Sequence, residues 1–314
     1  MTPTQTASAL SIRGLHKSYG DVHAVAGLDL DIRAGECFGL LGPNGAGKTT
    51  TIEICEGLLE PDSGEVEVLG MRWNANDKAL RAKLGIQLQE TQLSDKLTVA
   101  ETVRLFRSFY PKGRTVEEVI ALVQLEEKTT ARVGTLSGGQ KQRLAIACAV
   151  VGDPQFLFLD EPTTGLDPQS RRQLWDLIET FRSGGRSILL TTHYMDEAEH
   201  LCDRVAIVDH GRVIAQDTPS ALIASLGAEH VVGFTLEAES PAPDLAALQA
   251  LDAVTNARVD HGNYELTSKE LRRTLPSVLG HAERQGLRIA ELRTHSATLE
   301  DVFVSLTGRH LRDA

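Results

Sequence analysis

Two stretches of this sequence have the chemistry of a phosphate cradle. The first is "GPNGAGKTT", residues 42 to 50, which fits the pattern G-x-x-x-x-G-K-[ST] through Gly42, Gly47, Lys48 and Thr49. In such a loop the glycines let backbone N–H groups converge on phosphate oxygens, and the following helix adds the positive end of its dipole. Lys48 is placed to reach the β and γ phosphates, and the Thr49 hydroxyl to coordinate Mg²⁺. The second cradle is "LSGGQ", where Ser137-Gly138-Gly139-Gln140 sets a hydroxyl and flexible backbone at the start of a helix. An N-capped helix with a flexible entry describes the same residues but leaves the paired glycines unexplained. Between the second cradle and residue 165 lies "FLFLDEPT", an apolar strand ending in Asp160-Glu161. One carboxylate there can hold Mg²⁺ and the next can orient and deprotonate a water. Together these stretches point to phosphoryl transfer from ATP to water.

The elements around them have the right order. "ALSIRGLHKSYG" and "HAVAGLDLDIRAGE" alternate like strands, and "ECFGLLG" is a short apolar strand running into the first loop. "KTTTIEICEGLL" reads as the helix after it. From about Thr98 to Leu125 the apolar spacing becomes helical. "PQFLFLD" and "RSILLTTH" are buried strands separated by the helix "PQSRRQLWDLIETF". Alternating strands and helices predict an α/β domain with a mostly parallel sheet covered on both faces. A seam falls near residues 223 to 230. Beyond it the order β-α-β-β-α-β predicts a small α/β domain of the split βαβ, ferredoxin-like kind. The expected division is therefore 1–228, with a helical subdomain at about 90–152, and 229–314.

"LSGGQ" after a phosphate loop and before an apolar strand ending in DE resembles the signature of the ABC ATPase family. The resemblance covers most of residues 9 to 220. It implies a P-loop NTPase cassette with a mixed sheet and a helical subdomain. It also implies that two cassettes pack head to tail, each signature closing over the γ-phosphate held by the other. The second cradle then serves the partner's ATP, with Ser137 donating its hydroxyl and Gly139 its N–H. The loop residues Pro43, Asn44, Gly45, Ala46 and Thr50, and Gly138 and Gln140 of the signature, belong to the same nucleotide contacts. Tyr19 in "KSYGDVHAV" looks like the aromatic that stacks on adenine, and Val25 like a residue lining that pocket. Gln89 looks like the glutamine that contacts Mg²⁺ and the attacking water. Gln87 is its rival, and spacing to "LTV" at 97 to 99 favours Gln89. Asp167 in "TGLDP" looks like the aspartate linking the cassettes, His193 after "ILLTT" like the histidine that contacts the γ-phosphate, and Glu161 like the base.

"TTHYMDEAEHLCDRVAIVDHGRVIAQDTP" and "TLEDVFVSLTGR" resemble the type 2 branch of drug and antibiotic exporters, which includes daunorubicin-type resistance pumps. This implies an ATPase working as a homodimer at the cytoplasmic face of the cell membrane, with a separate polytopic permease docking near Gln89 to Phe106. Importer ATPases and soluble ABC proteins are the alternatives. Soluble members usually carry two cassettes or a coiled-coil insertion, and importer tails are more often β-barrels than α/β. A net charge of −11 also argues against a nucleic-acid partner, which demands clustered Lys and Arg. Cys37, Cys55, Cys148 and Cys202 are scattered, with no CxxC pair, and read as core residues in a reducing compartment. No apolar run approaches the ~20 residues that cross a bilayer, and the N-terminus lacks a signal peptide's basic start and apolar core.

Overall fold

The computed structural model describes residues 8–88, 91–260 and 262–308. The chain divides into two compact units, one running to Pro219 and one beginning at Ser220.

The first unit opens with two long strands, β1 (Ser8–Tyr19) and β2 (Val22–Arg33), paired antiparallel across a tight turn. β3 (Cys37–Leu41) runs through the glycine loop into α1 (Lys48–Cys55). β4 (Ser63–Val68) then returns to the free side of β1, giving a three-stranded sheet in the order β2-β1-β4. Next come α2 (Asp77–Arg81) and β5 (Leu84–Gln87). Among the described residues no strand follows until β6 (Phe156–Asp160). The interval holds α3 (Val99–Arg107), α4 (Val116–Leu122) and α5 (Gly138–Val150). All three start with a capping box, Thr98 with Glu101, Thr115 with Glu118, and Ser137 with Gln140, so each sequence supplies its own helix start. "LAIACAVV" is the buried C-terminal part of α5 with its capping residue Val151.

The unit continues with α6 (Pro168–Ser183), β7 (Ser187–Thr192), α7 (Met195–Leu201), β8 (Arg204–Asp209) and β9 (Arg212–Asp217). The main sheet has the order β5-β6-β7-β3-β8-β9, parallel as far as β8 and antiparallel at β9. β3, β6 and β7 are buried at every position, as the continuous apolar runs of a two-face-covered parallel sheet require. Register pairs Leu41 with Thr192 and Asp160 with Thr191. The carboxyl ends of three adjacent parallel strands therefore lie side by side, which is where open α/β sheets bind ligands. The "mostly parallel sheet" read from sequence is thus one sheet of two, since β1, β2 and β4 form their own antiparallel layer.

α8 (Pro219–Ser225) starts at the boundary, and the second unit continues with β10 (His230–Leu236), α9 (Leu245–Gln249), β11 (Val254–Asp260), β12 (Asn263–Ser268), α10 (Leu271–Gln285), β13 (Ile289–Ser296) and α11 (Leu299–Thr307). Its sheet order is β11-β12-β10-β13, antiparallel throughout, the split βαβ arrangement. The core gathers Val232, Phe234, Leu248, Tyr264, Leu266 and Val278, with the Phe234 and Tyr264 rings stacked at 5.2 Å. On α11, Leu299, Val302 and Phe303 are buried, whereas Leu306 at the end of the same stripe is 48% exposed.

Candidate functional site

The glycine loop is held by contacts only glycine permits. Gly47 sits at φ 97° as the residue capping α1, and a Cβ there would lie 2.1 Å from the Ala24 carbonyl oxygen. Lys48 is buried, and its Nζ donates to the carbonyls of Gly42 at 2.7 Å and Pro43 at 3.0 Å. Burial lowers the Lys48 pKa, while the carboxylates of Glu161 and Asp160 pull it back up. Asn44, Gly45 and Thr49 are exposed, Thr50 is half-buried and Ala46 is buried. Asn44, Gly45 and Thr49 thus lie open to solvent at the N-terminal end of α1, the end of a helix that favours an anion.

Asp160 ends β6 and is buried, with Oδ1 accepting a short hydrogen bond from the Thr191 hydroxyl. Burial raises its pKa, an effect that Thr191 and Lys48 oppose and Glu161 adds to. Glu161 follows in a left-handed conformation at φ 46°, the kind of strained non-glycine backbone that collects at functional sites. Thr191 holds this turn in place. It accepts the Glu161 N–H on its hydroxyl at 2.9 Å and on its carbonyl at 3.2 Å. The Glu161 carboxylate lies 3.3 Å from His193 Nδ1 and accepts from the Thr164 hydroxyl at 3.0 Å. The His193 contact is the largest influence holding Glu161 below the usual carboxylate range, so it is ionised at neutral pH. The geometry therefore joins Lys48, Asp160, Glu161 and His193 in one electrostatic cluster at the strand ends.

Ser137 and Gly138 are exposed at the N-terminus of α5 and Gly139 is buried. Ser137 Oγ accepts the Gln140 N–H at 3.3 Å, and Gln140 Oε1 accepts the Ser137 N–H at 3.0 Å. A Cβ on Gly139 would meet the Ser170 hydroxyl at 2.6 Å, so the second glycine lets α5 approach α6. Asp167 caps α6, accepting the N–H groups of Gln169 and Ser170, both at 3.0 Å, and the Ser170 hydroxyl at 2.6 Å. Those Ser170 bonds lower its pKa. Tyr19 is 50% exposed at the β1–β2 turn, with Lys17 Nζ 5.9 Å from its ring centre. Val25 is buried in the core of the first unit, and the exposed valine of that turn is Val22. Gln89 lies outside the described residues. Its rival Gln87 is buried, with Nε2 donating to the carbonyls of Leu88 at 2.6 Å and Asp160 at 3.4 Å.

Three groups near this site were not read from the sequence. Thr191 is one, although a threonine pair ending the apolar run "SILLTT" was a visible signal. The second is Glu197, fully buried on α7, which accepts from Thr163 Oγ1 at 3.1 Å and Trp175 Nε1 at 3.0 Å and so ties the segment after Glu161 to α6. The third is Glu56, just past α1, also buried.

The ABC transporter family profile matches residues 25–164. The Nod factor export ATP-binding protein I of Ralstonia nicotianae is 40% identical over 97% of this chain and 95% of its own length. The protein of the same name from Rhizobium sp. (strain N33) is 39% identical over 96% of this chain and 98% of its own. The chain belongs to the ABC transporter ATP-binding family. A solved ATP-binding subunit of an ABC transporter superposes on this cassette with TM-score 0.63 at 29% identity, covering 70% of this chain and 93% of that one. The dimeric structure of a bacterial ABC transporter cassette does so with TM-score 0.61 at 26% identity, covering 67% and 98%. The cassette fold is therefore shared, and the chemistry is that of an ABC ATPase, hydrolysis of ATP.

Proposed function

We propose that this chain is the ATPase subunit of an exporter, acting as a head-to-tail pair of copies on the cytoplasmic side of a separate membrane subunit. The observation that carries the reading is similarity over 97% of the chain, second unit included, to proteins named for Nod factor export. The solved cassettes match only about two thirds of it. Cargo choice falls to the membrane subunit, so a drug, antibiotic, lipid, polysaccharide or peptide cargo is compatible with the same cassette. No helix among the described residues is long and apolar enough to cross a membrane.

The residues divide the work as follows. The glycine loop and Lys48 bind the phosphates, and Tyr19 stacks on the base with Val25 behind it. Ser137 and Gly139 of one copy close over the γ-phosphate held by the other, and Asp167 sits at the junction. The donor set suits Mg²⁺. A threonine hydroxyl and one buried carboxylate are hard oxygen ligands, and among the described residues no group of three or more His, Cys, Asp or Glu side chains forms a full cage. Thr49 and Asp160, with Gln89, would hold the ion beside the phosphates, where it would neutralise charge developing on them. Glu161, ionised and oriented by His193 and Thr164, takes a proton from the attacking water. His193 then stands beside both the base and the γ-phosphate.

The test is to look for a polytopic membrane protein among the products of the neighbouring genes and to co-express it with this chain. The expected result is a complex holding two copies of this chain and ATP-dependent efflux of cargo from cells or into inverted vesicles. A neighbour that never co-purifies, or uptake in place of efflux, would remove the exporter reading.

A further inference from the structure

Two links tie α6, the helix that Asp167 caps, to the segment carrying His193. The first is Glu197 on α7, which is fully buried. Its Oε1 accepts from Trp175 Nε1 of α6 at 3.0 Å, and its Oε2 accepts from the Thr163 hydroxyl at 3.1 Å. Thr192, the residue before His193, adds a third side-chain hydrogen bond. The second link is Arg171 of α6, whose guanidinium lies 4.1 Å from the centre of the Tyr194 ring. That ring lies in turn 4.1 Å from the His193 ring. Both links start from the helix behind Asp167 and end on a neighbour of His193.

Folding alone does not call for a carboxylate at this position. Burial raises the pKa of Glu197, and the bonds from Thr192, Thr163 and Trp175, with the charge of Arg171, pull it back down. A buried charge is tolerated where it is fully hydrogen-bonded, yet a well-packed apolar side chain in the same space is often no less stable. What the carboxylate offers beyond packing is acceptor capacity for three donors from three separate segments. Thr163 lies in the turn between Glu161 and Asp167, Trp175 on α6, and Thr192 at the end of β7. Glu197 itself stands on α7, which begins two residues after His193. One side chain therefore joins the segment of Asp167, at the proposed junction of two copies, to the segment of His193, whose Nδ1 lies 3.3 Å from Glu161.

We propose that Glu197 is a positioning residue for ATP hydrolysis: it holds the Asp167 and His193 segments as one body, so that contact of a second copy at Asp167 sets His193 and, through it, the base Glu161. The proposal rests on the reading of a head-to-tail pair and adds how pairing reaches the base. Glu197 is buried and acts through its neighbours, so it contributes to kcat and not to ATP binding. A base and histidine displaced by about 1 Å cost up to about 10²-fold in rate, while the phosphate loop keeps its hold on the nucleotide. Arg171 and Tyr194 form a parallel brace, so loss of Glu197 lowers the rate without abolishing it.

The test uses the purified full chain as wild type, Glu197→Ala and Glu197→Gln. Three quantities are read: the melting temperature, ATP-dependent pairing by sedimentation, and kcat and KM by phosphate release. Glu197→Ala is expected to pair, and to keep its KM, within about twofold of wild type, while kcat falls about tenfold or more. Glu197→Gln can accept from Trp175 on its oxygen and donate to the Thr163 hydroxyl from its nitrogen, so its kcat should stay within about threefold of wild type. Asp167→Asn, which still caps α6, should lower kcat as well. Combined with Glu197→Ala it should lose no more than about twofold beyond the larger single loss, since both changes act on one link. Should Glu197→Ala fold poorly, Trp175→Phe and Thr163→Val, each removing one donor to the carboxylate, must lower kcat with pairing unchanged. Unchanged kcat in a folded Glu197→Ala overturns the proposal and leaves the paired reading intact. Losses that multiply in the double variant also overturn it, as does pairing that falls in step with kcat in Trp175→Phe and Thr163→Val, the mark of a merely structural acid. A wild-type chain that does not pair with ATP overturns the paired reading first and this proposal with it.

Discussion

Glu56 should make the free chain lose stability as pH rises, and Glu56→Gln should remove that dependence. In the unfolded chain the carboxyl releases its proton near the ordinary 4.5, and in the fold near about 8. Between those values the folded state binds the extra proton, so stability falls with increasing pH. The penalty is absent below the lower value and complete above the upper one. At about 1.36 kcal/mol per unit, the complete penalty is about 5 kcal/mol, and about 2 kcal/mol of it accumulates between pH 6 and 8. Other groups titrate alike in both proteins, so the difference between their slopes isolates Glu56. The assay is urea denaturation of wild type and Glu56→Gln at pH 6 and pH 8. Wild type should lose about 2 kcal/mol more than the variant across that interval. The glutamine leaves its own amide poorly satisfied, so the slopes and not the absolute stabilities carry the test. Identical slopes would mean that Glu56 is solvated or paired in solution, and the buried-carboxyl reasoning would fail.

Further expectations concern the strand-end cluster and the second unit. Glu161→Gln should bind ATP and lose about 10²-fold or more in turnover, the usual loss for a removed general base; near wild-type turnover in a phosphate-release assay would refute its role. Thr191→Val removes the hydroxyl shared by Asp160 and the Glu161 N–H. It should lower kcat with little change in ATP affinity, and an unchanged kcat would show that the strained turn at Glu161 is held by other contacts. A chain ended at Pro219 should still bind ATP, since the second unit has its own core. If the second unit is regulatory, the truncated chain should change in ATP-dependent pairing or in transport. A folded truncation that cannot bind ATP would show that the first unit depends on the second.

Much of the site was legible because its parts act through local backbone. The loop from Gly42 to Thr49 needs only a preceding strand and a following helix, and β3 and α1 supply both. Asp160-Glu161 could be placed because an apolar run must end before two carboxylates. The split βαβ tail followed from alternation, its hairpin glycine and helical spacing. What escaped depends on packing between distant segments. Glu197 lies in the charged run "MDEAEH", which reads as surface, and Glu56 is a lone acid between apolar residues, and only the fold shows that both are buried. Val25 was placed by resemblance alone, and only the fold shows that it is buried within the first unit. The N-capped helix entry read in the signature is present, with Ser137 and Gln140 closing a capping box that starts α5. Spacing could not separate that capping task from a task across a dimer, because one local geometry serves both.

The most direct measurement of the central claim, that each ATP is shared between two copies, mixes Lys48→Ala with Ser137→Arg chains. The first lacks a working phosphate loop and the second a working signature. Each alone should form no complete site, whereas a mixed dimer, purified with two different tags, should contain one. ATP-dependent pairing and hydrolysis are both read. The expected result is pairing and hydrolysis above either mutant alone. Mixed dimers that neither pair more tightly with ATP nor turn over faster than the separate mutants would contradict a site assembled from the loop of one copy and the signature of the other.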